Sequence, residues 1–441
     1  MGRHVHRRRS LRAAAAPLGA CLLALAAPAQ AREAAEEAPA APAPFAPLPA
    51  PLPTAPAMPA EADTPSPEAP AAAAAPAERI EVRAVWSQFA DLPLAGDADA
   101  VLRHGGKVDA HVAIAGDAFG AQGGWTLNLH PELRYGRSAN GALGLIPSNT
   151  ALYYPDSEGT AFDLSIDVTR RWDSGTSLTV GKINVLDLAA DLPIVGGGGH
   201  EGFQNLALAL PPSAIVPGSL TGAMLSVPTD KALLRLWVFD PELQSQRSGL
   251  ESPFADGVGF LGSVTVPARL GGRRGYYAVK LAGSTRDSIA DDALPAVLVP
   301  PPGAPFGGRR GEISAVIAAY QYIAEYPEHP GAGIGLFGQV YLSNGDPTFL
   351  DRSGFIGIAG NPRPRPRDRF GLTYFRYSLT DRLVSALAGR VALEDEEGVE
   401  AFYTLALAER LRLTIDLQAV DPAISARDLG VIGSLRLTTS F

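Results

Sequence analysis

The sequence predicts an all-β fold: a transmembrane antiparallel β-barrel of about 16 strands, preceded by a signal peptide and a disordered Ala/Pro-rich linker. Three observations predict it. Apolar and polar residues alternate with a period of two through most of the chain beyond residue 80. A secretory leader opens the chain, and an alternating segment runs to an aromatic C-terminus at Phe441.

Met1–Ala31 has the three parts of a secretory signal. Arg3, Arg7, Arg8, Arg9 and Arg12 form a positive start, Leu11 to Ala27 an apolar stretch, and Ala29-Gln30-Ala31 a small-x-small cleavage site. Cleavage after Ala31 leaves Arg32 as the first mature residue. Two other signals fit less well. Ser10 follows Arg7-Arg8-Arg9 where a twin-arginine signal wants a bulky apolar residue, and Leu22–Ala27 continues the apolar run past Cys21, which a lipoprotein box would close.

Residues 32–79 form the linker, almost entirely Ala, Pro, Glu and Thr up to about Ala77. Such a segment cannot bury enough apolar surface to offset its chain entropy, and its prolines favour extended geometry. It reads as a disordered periplasmic spacer or as a tether to the cell wall.

Residues 80–441 form the barrel domain. No run of about 18 apolar residues occurs there, so helices are not expected to span a membrane. Phe162, Leu164, Ile166 and Val168 interleave with Asp163, Ser165, Asp167 and Thr169; Leu411, Leu413, Ile415 and Leu417 interleave with Arg412, Thr414, Asp416 and Gln418. Each set occupies one face of a strand. Weaker alternation lies near 109–118, 124–134, 176–186, 219–226, 233–240, 257–267, 274–284, 312–324, 332–343, 350–358, 369–378, 399–407 and 431–441. One further strand is expected between 80 and 105, for an even total of about 16.

With the C-terminus in the periplasm, Asp173-Ser174-Gly175 and Ala408-Glu409-Arg410 become short periplasmic turns. The connections 187–218, 241–256, 285–311, 379–398 and 421–430 become outside loops, the asymmetry that bacterial barrels show. The final strand places Val431, Leu435, Leu437 and Phe441 on one face. An aromatic C-terminus there resembles the signal read by the barrel-assembly machinery.

Three stretches resemble the carbohydrate-selective porin family (OprB type). The first is Leu178-Thr179-Val180-Gly181-Lys182 with Gly202-Phe203-Gln204-Asn205; the second is Arg369–Thr380. The third, and most specific, is Asp395–Tyr403, then Leu413–Gln418 and Pro422. The resemblance covers roughly 100–441, patchily in the middle. It implies a bacterial outer-membrane porin in contact with lipid and lipopolysaccharide, passive diffusion of small sugars or other polar solutes, and a homotrimer. The linker and the proline-rich connection 285–311 match nothing in the family.

Strand alternation also nominates the residues that face the lumen and meet solute. These are Asp163, Asp167 and Arg171; Arg235 and Trp237; and Arg412 and Asp416, with Gln418 beside them. Lys182 breaks the apolar face set by Leu178 and Val180, and Gly181 is expected to mark a bulge that turns it inward. Mixed charge across a pore suits neutral solutes with large dipoles, and Trp237 could stack on a sugar ring. Solvated wall residues without selectivity would carry the same pattern.

Other chemistry finds little support. The only cysteine lies in the leader, which excludes disulfides and cysteine-ligated metals from the mature chain. The net charge of -9 comes with no basic stripe for nucleic acid. Gly196–Gly199 lacks a phosphate-loop lysine and reads as a flexible outside loop; His200-Glu201 lacks the second histidine of a zinc hydrolase. Glu394–Glu397 reads as a solvated loop. None of His104, His111, His130, His200 and His329 sits in a catalytic context, so no enzyme, cofactor or metal is expected. The remaining alternatives are a non-conducting structural or adhesive barrel and, further off, a barrel lipase or protease.

Overall fold

The computed structural model describes residues 79–152, 158–190, 192–196, 200–209, 215–286, 311–344 and 350–441. The signal peptide with Ala31, and the linker apart from Arg79, lie outside the described residues. Sixteen strands follow in order: β1 (Ile80–Ala95), β2 (Arg103–Ala115), β3 (Trp125–Arg137), β4 (Glu158–Arg171), β5 (Ser177–Asn184), β6 (Ser219–Pro228), β7 (Leu233–Phe239) and β8 (Gly259–Leu270). The second half comprises β9 (Arg273–Ser284), β10 (Glu312–Glu325), β11 (Gly333–Ser343), β12 (Leu350–Gly360), β13 (Arg369–Leu379), β14 (Glu396–Ala406), β15 (Leu411–Asp421) and β16 (Gly430–Ser440). Each strand pairs antiparallel with its neighbours in sequence, and β1 pairs with β16 to close the barrel. Closure satisfies every edge, which is the condition for β structure in a bilayer.

The strand expected between 80 and 105 is β1. β2 begins earlier than alternation suggested, because Gly105 and Gly106 dilute the apolar signal there. Phe441 completes the seam: its amide donates to the Ala84 carbonyl at 2.8 Å. Its ring is exposed on the outer face at the rim that carries the C-terminus.

The two faces of the wall differ as the period of two requires. Phe162, Ile166, Leu236, Val238, Ile317, Val340, Ile356 and Leu435 point outward and are exposed, an apolar belt of the kind lipid covers. Their neighbours Ser87, Lys107, Asp109, Glu132, Asp163, Glu400, Asp416 and Arg436 point inward and are buried. The closest turns, such as Gly271-Gly272, lie at the C-terminal rim, and the long connections leave the opposite rim. The connections 96–102, 344–349 and 422–429 are exceptions, being short at the long-loop rim.

The sequence expects 187–218 and 241–256 as long connections at the outer rim, and both leave the rim opposite the C-terminus. Their described parts then fold down into the lumen, which alternation does not foretell. Two short helices lie in the first, α1 (Val185–Ala190) and α2 (Leu206–Ala209). A third, α3 (Asp381–Leu387), is capped by Thr380, whose hydroxyl accepts from the Leu383 amide at 3.3 Å. Ile194, Val195, Phe203, Ala207 and Leu208 bury their side chains against the inward Tyr320, Phe337, Phe355, Phe375 and Phe402. Phe203 meets Phe402 edge-on, with ring centroids 4.8 Å apart. The wall's composition explains the descent: β10–β14 carry aromatic side chains on the inner face, and the loop supplies the apolar surface that covers them.

Candidate functional site: a narrowed lumen

Two charged arcs line neighbouring parts of the wall, β2–β5 and β13–β16, with β1 between them. On β2–β5 the Lys107 ammonium lies 2.8 Å from Asp109 and 2.6 Å from Glu132, and Arg134 lies 3.0 Å from Glu132. Asn184 donates to the second Glu132 oxygen at 2.9 Å. Lys182 Nζ lies 2.5 Å from Asp163 Oδ1 and donates to the Arg247 carbonyl at 2.6 Å. Asp163 also accepts from the Gln246 amide at 2.9 Å, so this pair holds the 240–258 connection to the wall.

Lys182 reaches this position through Gly181. The register to β4 and β6 runs through Gly181 unbroken, so no bulge is present. Gly181 instead has φ +146°, and a Cβ there would lie 2.3 Å from the Ile166 carbonyl oxygen. Glycine alone adopts this conformation readily, and it turns Lys182 inward although its registered partner Ile166 faces outward.

On β13–β16 the loop descends close to the C-terminal rim. Glu400 accepts from the backbone amides of Gln204 and Asn205. Arg436 donates to the Gly202 carbonyl at 2.8 Å, and Thr438 to the His200 carbonyl at 3.0 Å. Gln418 accepts from Asn205 at 3.1 Å and donates to Asp416 at 3.0 Å. Arg412 lies 2.6 Å from Glu201. Beside them is a half-open cavity of about 210 Å³ lined by polar and charged groups, among them Glu201, Arg369, Arg410, Arg412, Thr438 and Ser440.

Each nominated residue lies on the inner face. Asp163 and Lys182 form one pair. Asp167 accepts from Asn128 at 2.7 Å on β3. Arg171 shares its face of β4 with Thr169, near the turn. Arg235 and Trp237 are half-buried between the outward Leu234, Leu236 and Val238. Arg412 belongs to the cavity and Asp416 to the network behind it, so the nominated residues are spread over β4–β5, β7 and β15.

Several contributors escaped sequence reasoning. Arg369 and Arg410 sit at strand ends where alternation is weak, and Glu201 and His200 belong to a connection read as external. Gly196 and His200, flanking the glycine run, lie against Arg369 and against Ser87 and Thr438; Gly197–Gly199 lie outside the described residues. The sequence places Glu396 in a solvated acidic run. It is buried, and accepts from the amides of Leu145 at 2.6 Å and Ile146 at 2.9 Å, which fastens the 138–152 connection to β14.

Comparison with known proteins agrees with this architecture. OprB of Pseudomonas putida in its high-pH structure superposes with a TM-score of 0.68 at 14% identity, covering 82% of this chain and 94% of that one. Its low-pH structure gives a TM-score of 0.50 at 11% identity, covering 82% and 92%. Among curated proteins none matches. The family model for the carbohydrate-selective porin, OprB family, matches residues 116–441. A match over that much of the chain, on a closed sixteen-stranded barrel with a polar lumen, shows that this chain belongs to the carbohydrate-selective porin, OprB family.

Proposed function

We propose that this porin admits small neutral polyols, monosaccharides first, by passive diffusion across the bacterial outer membrane. The cavity beside Arg369, Arg410 and Arg412 carries the reading. Guanidinium groups present several fixed donors, while Glu201, Thr438 and Ser440 offer acceptors. Such a set replaces the hydration of a sugar's hydroxyls without requiring a charged solute. At about 30 Å³ of liquid volume per water, the cavity displaces roughly seven waters, a space suited to one sugar ring rather than a chain of them.

In this reading the linker and C-terminus face the periplasm, Phe441 presents the assembly signal, the apolar belt meets lipid, and the loops meet lipopolysaccharide. The homotrimer remains an implication of family membership. The apolar packing of Phe203 and Leu208 inside the lumen favours one rival, a plugged barrel that does not conduct.

Planar-bilayer recording of the folded protein separates the two. Ohmic steps that glucose blocks support the porin, with block weakened about tenfold in Arg412→Ala through loss of a charge-assisted donor. Folded protein without conductance overturns it, and conductance with unaltered sugar block in Arg412→Ala removes the cavity from the mechanism.

A further inference from the structure

On the β2–β3 wall, on the far side of Asp109 from the cavity's His200, three side chains from three segments converge. They are His111 of β2, His130 of β3 and Asp187 of α1, and their ligand atoms all lie within 4.8 Å of one another. The two imidazoles stack with centroids 3.9 Å apart and planes 26° apart. His130 Nδ1 lies 2.7 Å from Asp187 Oδ2. The His130 side chain is 7% exposed, yet its Nε2 has no hydrogen-bond partner and stops 3.6 Å from Asp109 Oδ1, which also lacks one. The buried ring nitrogen and carboxylate oxygen face each other at ion-pair distance but beyond a hydrogen bond, which leaves room for a small shift of the His130 ring to close the gap.

We propose that His111, His130 and Asp187 bind a divalent transition-metal ion, Zn²⁺ being the representative. Two imidazole nitrogens and one carboxylate oxygen are a donor set for Zn²⁺, at about 2.0–2.2 Å per bond, whereas Ca²⁺ and Mg²⁺ need oxygen ligands. Bonds of that length separate ligand atoms by roughly 3.3 Å in a tetrahedron, which rotation of the exposed His111 ring can reach from the present spacing. With Nδ1 on the metal, His130 turns its Nε2–H toward Asp109. That produces the carboxylate–histidine–metal arrangement that orients a ligand ring. Asp109 is itself held by Lys107 at 2.8 Å and by His200.

A second grouping, Asp109, His130 and Glu132, is less suitable. The Lys107 ammonium lies between its two carboxylates and already supplies the cation. At the proposed site His111 is exposed and Asp187 partly so, which leaves the fourth coordination position open to water or solute in the lumen. The bound ion would tie α1, and with it the start of the lumen loop, to the wall. Sequence inspection misses the site because its ligands come from two strands and a loop helix with no motif spacing.

The test is isothermal titration of ZnCl₂ into the tag-free, detergent-folded mature chain after chelator treatment. One ion should bind per chain, with MgCl₂ and CaCl₂ producing no saturable heat. His111→Ala, which removes an exposed ring, and Asp187→Asn should each weaken Zn²⁺ by about 100-fold or more while the barrel stays folded. His329→Ala, in the 326–332 turn between β10 and β11 on the opposite side of the barrel, should leave affinity unchanged. The proposal is overturned by absence of saturable Zn²⁺ binding, by binding that survives both site variants, or by equal loss in His329→Ala. None of these readouts depends on conductance.

Discussion

Replacing Asp163 with alanine should release the 240–258 connection from the wall without unfolding the barrel. Asp163 and Lys182 are both almost fully buried, their charged atoms 2.5 Å apart. Removing one partner of a buried pair costs about 3–5 kcal/mol, because the other charge is left uncompensated. Lys182 keeps the Arg247 carbonyl at 2.6 Å, and lumen water can reach an opened loop, so the lower end applies. The Gln246 amide loses its acceptor at the same time. About 3 kcal/mol corresponds to roughly a 100-fold rise in the population with the loop detached. The barrel's backbone ladder is untouched, so the loss appears as local opening.

Limited trypsin digestion at Arg247 measures that population when opening and closing are fast relative to cleavage. Asp163→Ala should be cut roughly 100-fold faster than the parent chain, with larger and noisier single-channel conductance. The double variant Asp163→Asn/Lys182→Met restores the acceptor for Gln246 and removes the buried charge but forfeits the donor to the Arg247 carbonyl, so its cleavage should fall between the single variant and the parent. Two results refute the reasoning: cleavage of Asp163→Ala no faster than the parent, or a double variant as labile as the single one.

Two further perturbations address the loop core and the lipid face. In Gly371→Ala the new Cβ would lie 2.4 Å from the Phe402 ring and 2.5 Å from the Phe203 ring. The overpacking should cost about 1–3 kcal/mol and displace Phe203; protease sensitivity of the 200–209 segment, with the barrel still heat-modifiable on gels, checks it. Ile317→Arg puts a charge on the outer face of β10, where Ile317 is 66% exposed. It should destabilise the barrel in lipid by about 2–4 kcal/mol if that position lies near the bilayer midplane, read from denaturant unfolding in liposomes.

The strands were legible because a membrane barrel repeats one constraint along its length. Lipid on one side and water or polar protein on the other force a period of two, as in Phe162–Thr169 and Leu411–Gln418. Gly181 shows where that logic stops. The sequence flagged the position and expected a bulge; the backbone solved the same problem with a positive φ and an unbroken register. Glu396 shows a second limit. An acidic run looks solvated in one dimension, but one of its carboxylates lies against the free amides of Leu145 and Ile146, some 250 residues earlier.

The sequence by itself determined the barrel, its strand count, the inward and outward faces, and the resemblance that family membership bears out. These follow from local alternation, which each strand carries in its own residues. Only the tertiary structure decided what fills the lumen. The packing of Ile194, Val195 and 203–208 with Phe337 and Phe402, the pairing of Arg412 with Glu201, and the convergence of His111, His130 and Asp187 all join segments far apart in the chain. Their geometry comes from closing the sheet and burying loop side chains against its inner face, and no local pattern encodes that.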